Sequence, residues 1–196
     1  MKPYAESSEQ NKHAILPVLQ QYFKAVTSVL EIGSGTGQHA VFFAEKFPQL
    51  RWNATDRAEY LAGIQMWLDD AKLANIKGPL LLDVNQPAWP IEDTDVVFSA
   101  NTVHIMGWPS VENMFAGIGR VLKQKGIFCL YGPFNYNGQF TSESNARFDL
   151  WLKQRDPVSG VRDFEALQIL AAQAAMTLID DVEMPANNRV LVWQKM

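Results

Sequence analysis

The stretch Val29-Leu-Glu-Ile-Gly-Ser-Gly-Thr-Gly-Gln-His-Ala40 decides the reading of this chain. A short apolar run meets a turn with glycine at positions 33, 35 and 37, and Glu31 stands two places before the first of them. Strand, glycine turn and helix start in that order describe a loop that lays bare backbone against a nucleotide cofactor. Glycine accepts positive φ there and puts no Cβ between main chain and ligand. The spacing speaks against one common kind. A dinucleotide fold needs its third glycine three places after the second, where helix and strand pack closely. Gln38 stands at that position, which argues against a nicotinamide oxidoreductase. A tight turn with no ligand is the plain alternative.

Outward from the loop, strand and helix signals alternate. Ile15, Leu16, Leu19, Phe23 and Val26 recur at helical spacing and predict a helix over residues 7–26, bent at Pro17. Extended runs are expected at 28–32, 51–55, 80–82, 95–100 and 126–131, the third of them short and buried. Helices are expected at 38–47, 59–74 and 111–123. In the last of these Val111, Met114, Phe115, Ile118, Val121 and Leu122 make one apolar stripe. Such alternation predicts a parallel sheet with helices on both faces, since each parallel crossover takes about a dozen residues or more. Past residue 160 the pattern changes. A helix over 163–175 leads to runs at 177–184 and 190–193, and a link as short as 185–189 joins antiparallel neighbours. Within residues 132–162, Arg147, Phe148, Trp151 and Leu152 suggest a short helix.

Length and composition narrow the partners. The 196 residues fit one domain, 1–196. A net charge of -4 argues against nucleic acid held through its phosphates. The lone Cys129 excludes an intrachain disulfide, and scattered His13, His39 and His104 lack paired metal-ligand spacing, so no metal is expected. The polar N-terminal stretch has no apolar core of a leader, and no apolar run reaches membrane-spanning length. A cytoplasmic protein without membrane partners is the expectation; the sequence leaves its oligomeric state open.

The acidic-x-Gly-x-Gly-x-Gly form of Glu31 to Gly37 resembles the first motif of class I S-adenosylmethionine (SAM) methyltransferases. That resemblance implies an α/β, Rossmann-like sandwich with a mostly parallel seven-stranded sheet, order 3-2-1-4-5-7-6, whose last strand is antiparallel. The implied cofactor is SAM, and the product S-adenosylhomocysteine. SAM offers a sulfonium cation and two ribose hydroxyls but no phosphate, so a carboxylate at a strand tip suits it. The resemblance reaches further. The opening Ser7-Ser-Glu-Gln-Asn-Lys-His-Ala-Ile-Leu-Pro-Val-Leu19, the segment Arg155-Asp-Pro-Val-Ser-Gly-Val-Arg-Asp-Phe-Glu165 and the terminal Met184-Pro-Ala-Asn-Asn-Arg-Val-Leu-Val-Trp193 are similar to the methyltransferase-like 26 family, whose function is unassigned.

The candidate cofactor residues are Glu31, Gly33, Ser34, Gly35, Gly37, Asp56, Asp83, Val84 and Asn101. Asp56 ends the second strand, 23 residues after Gly33, the place from which an acid reaches the ribose; a helix N-cap is the competing role. In the resembled class, the Asp83 position meets the adenine amino group and Val84 packs on the ring, unless Asp83 only caps a turn. Arg57 departs from the apolar residue found in many relatives. Asn101 and His104 follow the fourth strand, the edge over which a methyl group passes, and are the candidate catalytic residues. His104 is either a base near neutrality or a packed helix residue. Asn-Thr-Val-His-Ile-Met is not the Asn/Asp-Pro-Pro-aromatic motif of base or amide methylation. Asn11, Trp108, Tyr136, Arg147 and Arg162 are candidates for the acceptor pocket, with residues 132–162 as a lid, although Arg162 could instead pair with a carboxylate. Asn187 and Asn188 suit the final turn. The sequence thus predicts methyl transfer to a small molecule, with a non-catalytic SAM sensor or scaffold as the second reading.

Overall fold

All five residues of Ser28–Ile32 are buried, as the central strand of a sheet covered on both faces requires. In the computed structural model, which describes residues 2–196, this strand is β1. It follows α1 (Glu6–Tyr22) and leads through the glycine turn to α2 (Gln38–Lys46). Then come β2 (Arg51–Asp56), α3 (Ala58–Ala71), β3 (Ile76–Leu81), β4 (Thr94–Ala100), α4 (Trp108–Val121) and β5 (Leu122–Gly132). A pair of two-residue strands, β6 (Phe134–Asn135) and β7 (Arg162–Asp163), brackets α5 (Glu143–Arg155). The chain ends in α6 (Phe164–Gln173), β8 (Met176–Met184), a single 3-10 turn and β9 (Asn188–Lys195).

The main sheet runs β3-β2-β1-β4-β5-β9-β8. Its first five strands are parallel, and β9 lies antiparallel to both β5 and β8. This is the order 3-2-1-4-5-7-6 expected above, because β6 and β7 pair outside the sheet. Side chains alternate along each central strand and build two cores. Val29, Val96, Phe98 and Cys129 face the cluster of Ile15, Leu19, Phe43 and Trp52. Leu30, Val97, Phe128 and Leu130 face Val111, Phe115, Ile118 and Trp193. The apolar stripe expected at 111–123 falls wholly in the second core, and its last member, Leu122, begins β5.

Several boundaries differ from expectation for local reasons. α1 runs without interruption through Pro17 and stops at Tyr22 rather than residue 26, since Phe23 leaves the helix to bury its ring against Phe47 and Trp52. β3 is longer than 80–82 and is the half-exposed edge of the sheet rather than a buried strand. α5 extends over 13 residues. It is pinned by buried Asp149, which accepts from Val161 N–H and from Lys153, and by Asn145, which caps onto the carbonyl of Asn187. These bonds tie α5 to the final turn and to the approach to β7, within the residues 132–162 expected as a lid. Among the described residues no helix is long and apolar enough to cross a membrane.

Candidate functional site

A cleft of about 790 Å³ opens at the carboxyl ends of β1, β2 and β4, where open parallel sheets take ligands. The three glycines that frame it do three different things. Gly33 (φ +74°) lets β1 meet the loop after β4, since a Cβ there would stand 2.5 Å from Thr102 Cγ2. Gly37 (φ +95°) lets α2 approach α3, with Ile64 Cα 3.2 Å from where its Cβ would be. Only Gly35 (φ +59°) faces open space, with nothing within 4 Å of such a Cβ. Gly33 and Ser34 N–H groups both donate to the Thr55 carbonyl, tying the loop to β2.

Asp56 stands at the tip of β2. Its Oδ2 accepts the Gly35 N–H at 2.7 Å and its Oδ1 the Arg57 N–H at 2.8 Å. Burial raises its pKa above the ordinary value, against the lowering effect of those two bonds. Arg57 is the N-cap residue of α3 and the helix takes no side-chain cap, so Asp56 does not serve as one. A carboxylate with two backbone donors keeps lone pairs for two vicinal hydroxyls. Asp83 and Val84 also line the cleft; Asp83 Oδ1 accepts from Asn85 N–H. Asn101 lines it in the left-handed region (φ +58°), its N–H bound to the Tyr131 carbonyl.

Gly33, Ser34, Gly35, Asp56, Asp83, Val84 and Asn101 thus converge as the sequence proposed. Glu31 and Gly37 lie behind the wall. Glu31 is 1% exposed and takes the indole N–H of Trp52 at 2.9 Å. Burial pushes its pKa up to about 7.

The candidate acceptor residues do not converge on the cleft, and of the five Trp108 and Arg162 adjoin one another. Asn11 Oδ1 lies 2.7 Å from His39 Nε2, one layer behind the wall. Tyr136 stacks on Phe164 and donates its hydroxyl to Asp181. Arg147 is exposed beside Glu143, and Trp108 lies under the Arg162 guanidinium at 6.0 Å. Among the described residues Arg162 binds no carboxylate: it donates to the carbonyls of Val103, Met106 and Val158, stapling the loop that carries Asn101. His104 is 4% exposed, packed edge-on against Phe148 at 5.2 Å, and its Nδ1 has no partner among the described residues. Burial, then the Arg162 charge, lower its pKa to about 4. The histidine on the cleft wall is His39, also held down at about 4, first by burial and then by Lys12. The N-terminal residues Pro3, Ala5, Ser7 and Ser8 complete that wall. His39 was not anticipated as a cleft residue. The adjacency of His39 to the glycine turn is the one signal that could have marked it.

Sheet order, glycine turn and strand-tip carboxylate together define the class I methyltransferase fold. Solved structures agree. The S-adenosylmethionine-dependent methyltransferase SibL superposes with a TM-score of 0.81 at 19% identity over 96% of this chain. An O-methyltransferase family 2 protein from Planctomyces limnophilus, in complex with apigenin, gives 0.81 at 16% over 97%. YcgJ from Bacillus subtilis gives 0.74 at 14% over 93%. The chain spans 55% and 60% of the length of the first two and 98% of YcgJ. By sequence it belongs to the protein family of unknown function DUF938, whose model matches residues 2–195.

Proposed function

We propose that this protein is a cytoplasmic, SAM-dependent methyltransferase acting on a small molecule, within or close to the methyltransferase-like 26 family. The observation that carries the reading is the pairing of Gly35 with Asp56. Bare left-handed backbone and a desolvated carboxylate face the same cleft. That donor set fits a ribose diol, with Asp83 and Val84 for the adenine and Asn101 beside the sulfur. SAM supplies an activated methyl group on a cationic leaving group. The chain then has to align an acceptor and exclude water, and effective molarity alone contributes roughly 7–11 kcal/mol in such reactions. Asn101, fixed in a left-handed turn, is the orienting residue. A base is secondary in this reading: His104 is sealed behind the loop, and His39 has its Nε2 engaged by Asn11. The cleft volume lies within the range for small-molecule sites, which favours a compact acceptor over a polymer.

Isothermal titration tests the cofactor half. SAM and S-adenosylhomocysteine should bind, NAD should not, and Asp56→Ala should weaken both by about 1.5–3 kcal/mol, as for a lost charged acceptor. Failure of both sulfur ligands to bind refutes the proposal. Binding without passage of labelled methyl to any small molecule of a cell extract would leave the sensor reading in its place.

A further inference from the structure

Gln38, the residue that breaks the dinucleotide spacing, is 2% exposed and bonded through both its oxygen and its nitrogen. Its Oε1 accepts the Ala5 backbone N–H at 2.7 Å and the Thr36 hydroxyl at 3.0 Å. Its Nε2 donates to Glu9 Oε2 at 3.2 Å. One side chain therefore ties the cofactor loop to the start of the chain, and buried polar groups of this kind hold only while each keeps a partner.

The segment it holds borders the cleft. Residues 2–5 have no regular structure, so side chains and packing must fix them. At their far end, the Trp67 indole donates to the Pro3 carbonyl at 2.7 Å. Lys2 lies 3.9 Å over the Trp67 ring and pairs with Asp70. Gly63 makes room for this: a Cβ there would stand 2.7 Å from Pro3 Cγ. The segment is thus a strap, fastened to α3 at one end and to Gln38 at the other. Between the fastenings Pro3 and Ala5 form part of the cleft wall, as do Ser7 and Ser8 on the following turn of α1.

We infer that Gln38 is a positioning residue that latches residues 2–9 along the cofactor cleft and so sets how long the cofactor stays bound. The inference rests on the cofactor reading above. Gln38 is not on the cleft wall, so it acts through the strap. Opening the strap exposes the cleft in both directions. Loss of the latch therefore speeds entry and exit together, whereas a lost ligand contact speeds exit alone.

Stopped-flow kinetics with S-adenosylhomocysteine and hydrogen exchange at the Ala5 amide test it. In Gln38→Met, which removes both bonds to the strap, the off-rate should rise about tenfold or more, with a faster on-rate and a smaller change in Kd. Ala5 exchange should accelerate even without ligand. The double variant Glu9→Gln/Gln38→Glu reverses the donor and acceptor and should restore slow exchange. Gly63→Ala, which wedges Pro3 while favouring the helix, should open the strap without lowering Tm. Unchanged Ala5 exchange and unchanged rates in Gln38→Met and Gly63→Ala overturn the latch. If the wild-type protein binds no S-adenosylhomocysteine, the cofactor reading fails, and Ala5 exchange alone then decides: faster in Gln38→Met sustains the latch, unchanged rejects it.

Discussion

At neutral pH the Glu31 carboxyl stands at its midpoint, because burial has moved it from 4.5 to about 7. The folded chain holds this proton more tightly than the unfolded chain does. The protonated group is therefore the stabilising form: its contribution is complete below about pH 4.5 and is lost as pH rises through 7. A displacement of that size corresponds to about 3 kcal/mol. Glu31→Gln keeps an acceptor for Trp52 and cannot ionise. Its Tm should match that of the wild type near pH 4.5 and exceed it at pH 8; parallel Tm profiles across that range would refute the assignment. The glycines offer a second residue-scale contrast. Gly33→Ala forces a Cβ against Thr102 and should cost about 1–3 kcal/mol of stability. Gly35→Ala meets nothing and should cost about 1 kcal/mol, yet its methyl enters the cleft and should abolish S-adenosylhomocysteine binding. Equal effects of the two on stability and on binding would remove the division of roles. Asp56 was legible in the sequence because strand end and loop spacing coincide. The partnership of Gln38 with Ala5 was not, because nothing local encodes a hydrogen bond across 33 positions.

Among the elements, the loop between β4 and α4 depends on a residue more than 50 positions away in sequence. The Arg162 guanidinium gathers the carbonyls of Val103, Met106 and Val158, none of which has charge to mark it in the sequence. That is why Arg162 read as an acceptor contact: periodicity shows which residues lie on a face, not which carbonyls turn inward. Arg162→Met keeps the stem but leaves three acceptors without their donor. It should lower stability by about 2 kcal/mol, accelerate exchange at Ile105, whose N–H closes a turn on Thr102, and weaken S-adenosylhomocysteine several-fold. Arg162→Lys, able to reach one carbonyl at a time, should fall between. Wild-type exchange at Ile105 in Arg162→Met would show that the loop holds itself. The neighbouring α5 was underestimated for a related reason. Its anchors, Asn145 and Asp149, are polar residues buried by distant backbone, and polar residues read as surface in a sequence.

For the whole molecule, the strand order came with the methyltransferase resemblance, while alternation and one short link made the strand directions legible. The apolar runs set the parallel half, and the closeness of β8 to β9 set the antiparallel end. The full lining of the cleft was not legible, since it is assembled from segments as far apart as Ser7, Asn101 and Asp156. This assembly couples the ligand to global stability. A ligand that needs the tips of β1, β2 and β4 and the start of α1 all in place binds only the folded chain. At a hundredfold excess over Kd it should add about 2.7 kcal/mol. For a chain of this length each kcal/mol moves Tm by roughly 2–4 °C, so saturating S-adenosylhomocysteine should raise Tm by roughly 5–11 °C. NAD should raise it not at all, because Gln38 stands where a dinucleotide fold needs its third glycine. A shift with NAD but none with S-adenosylhomocysteine would mean that the glycine spacing had been read the wrong way round.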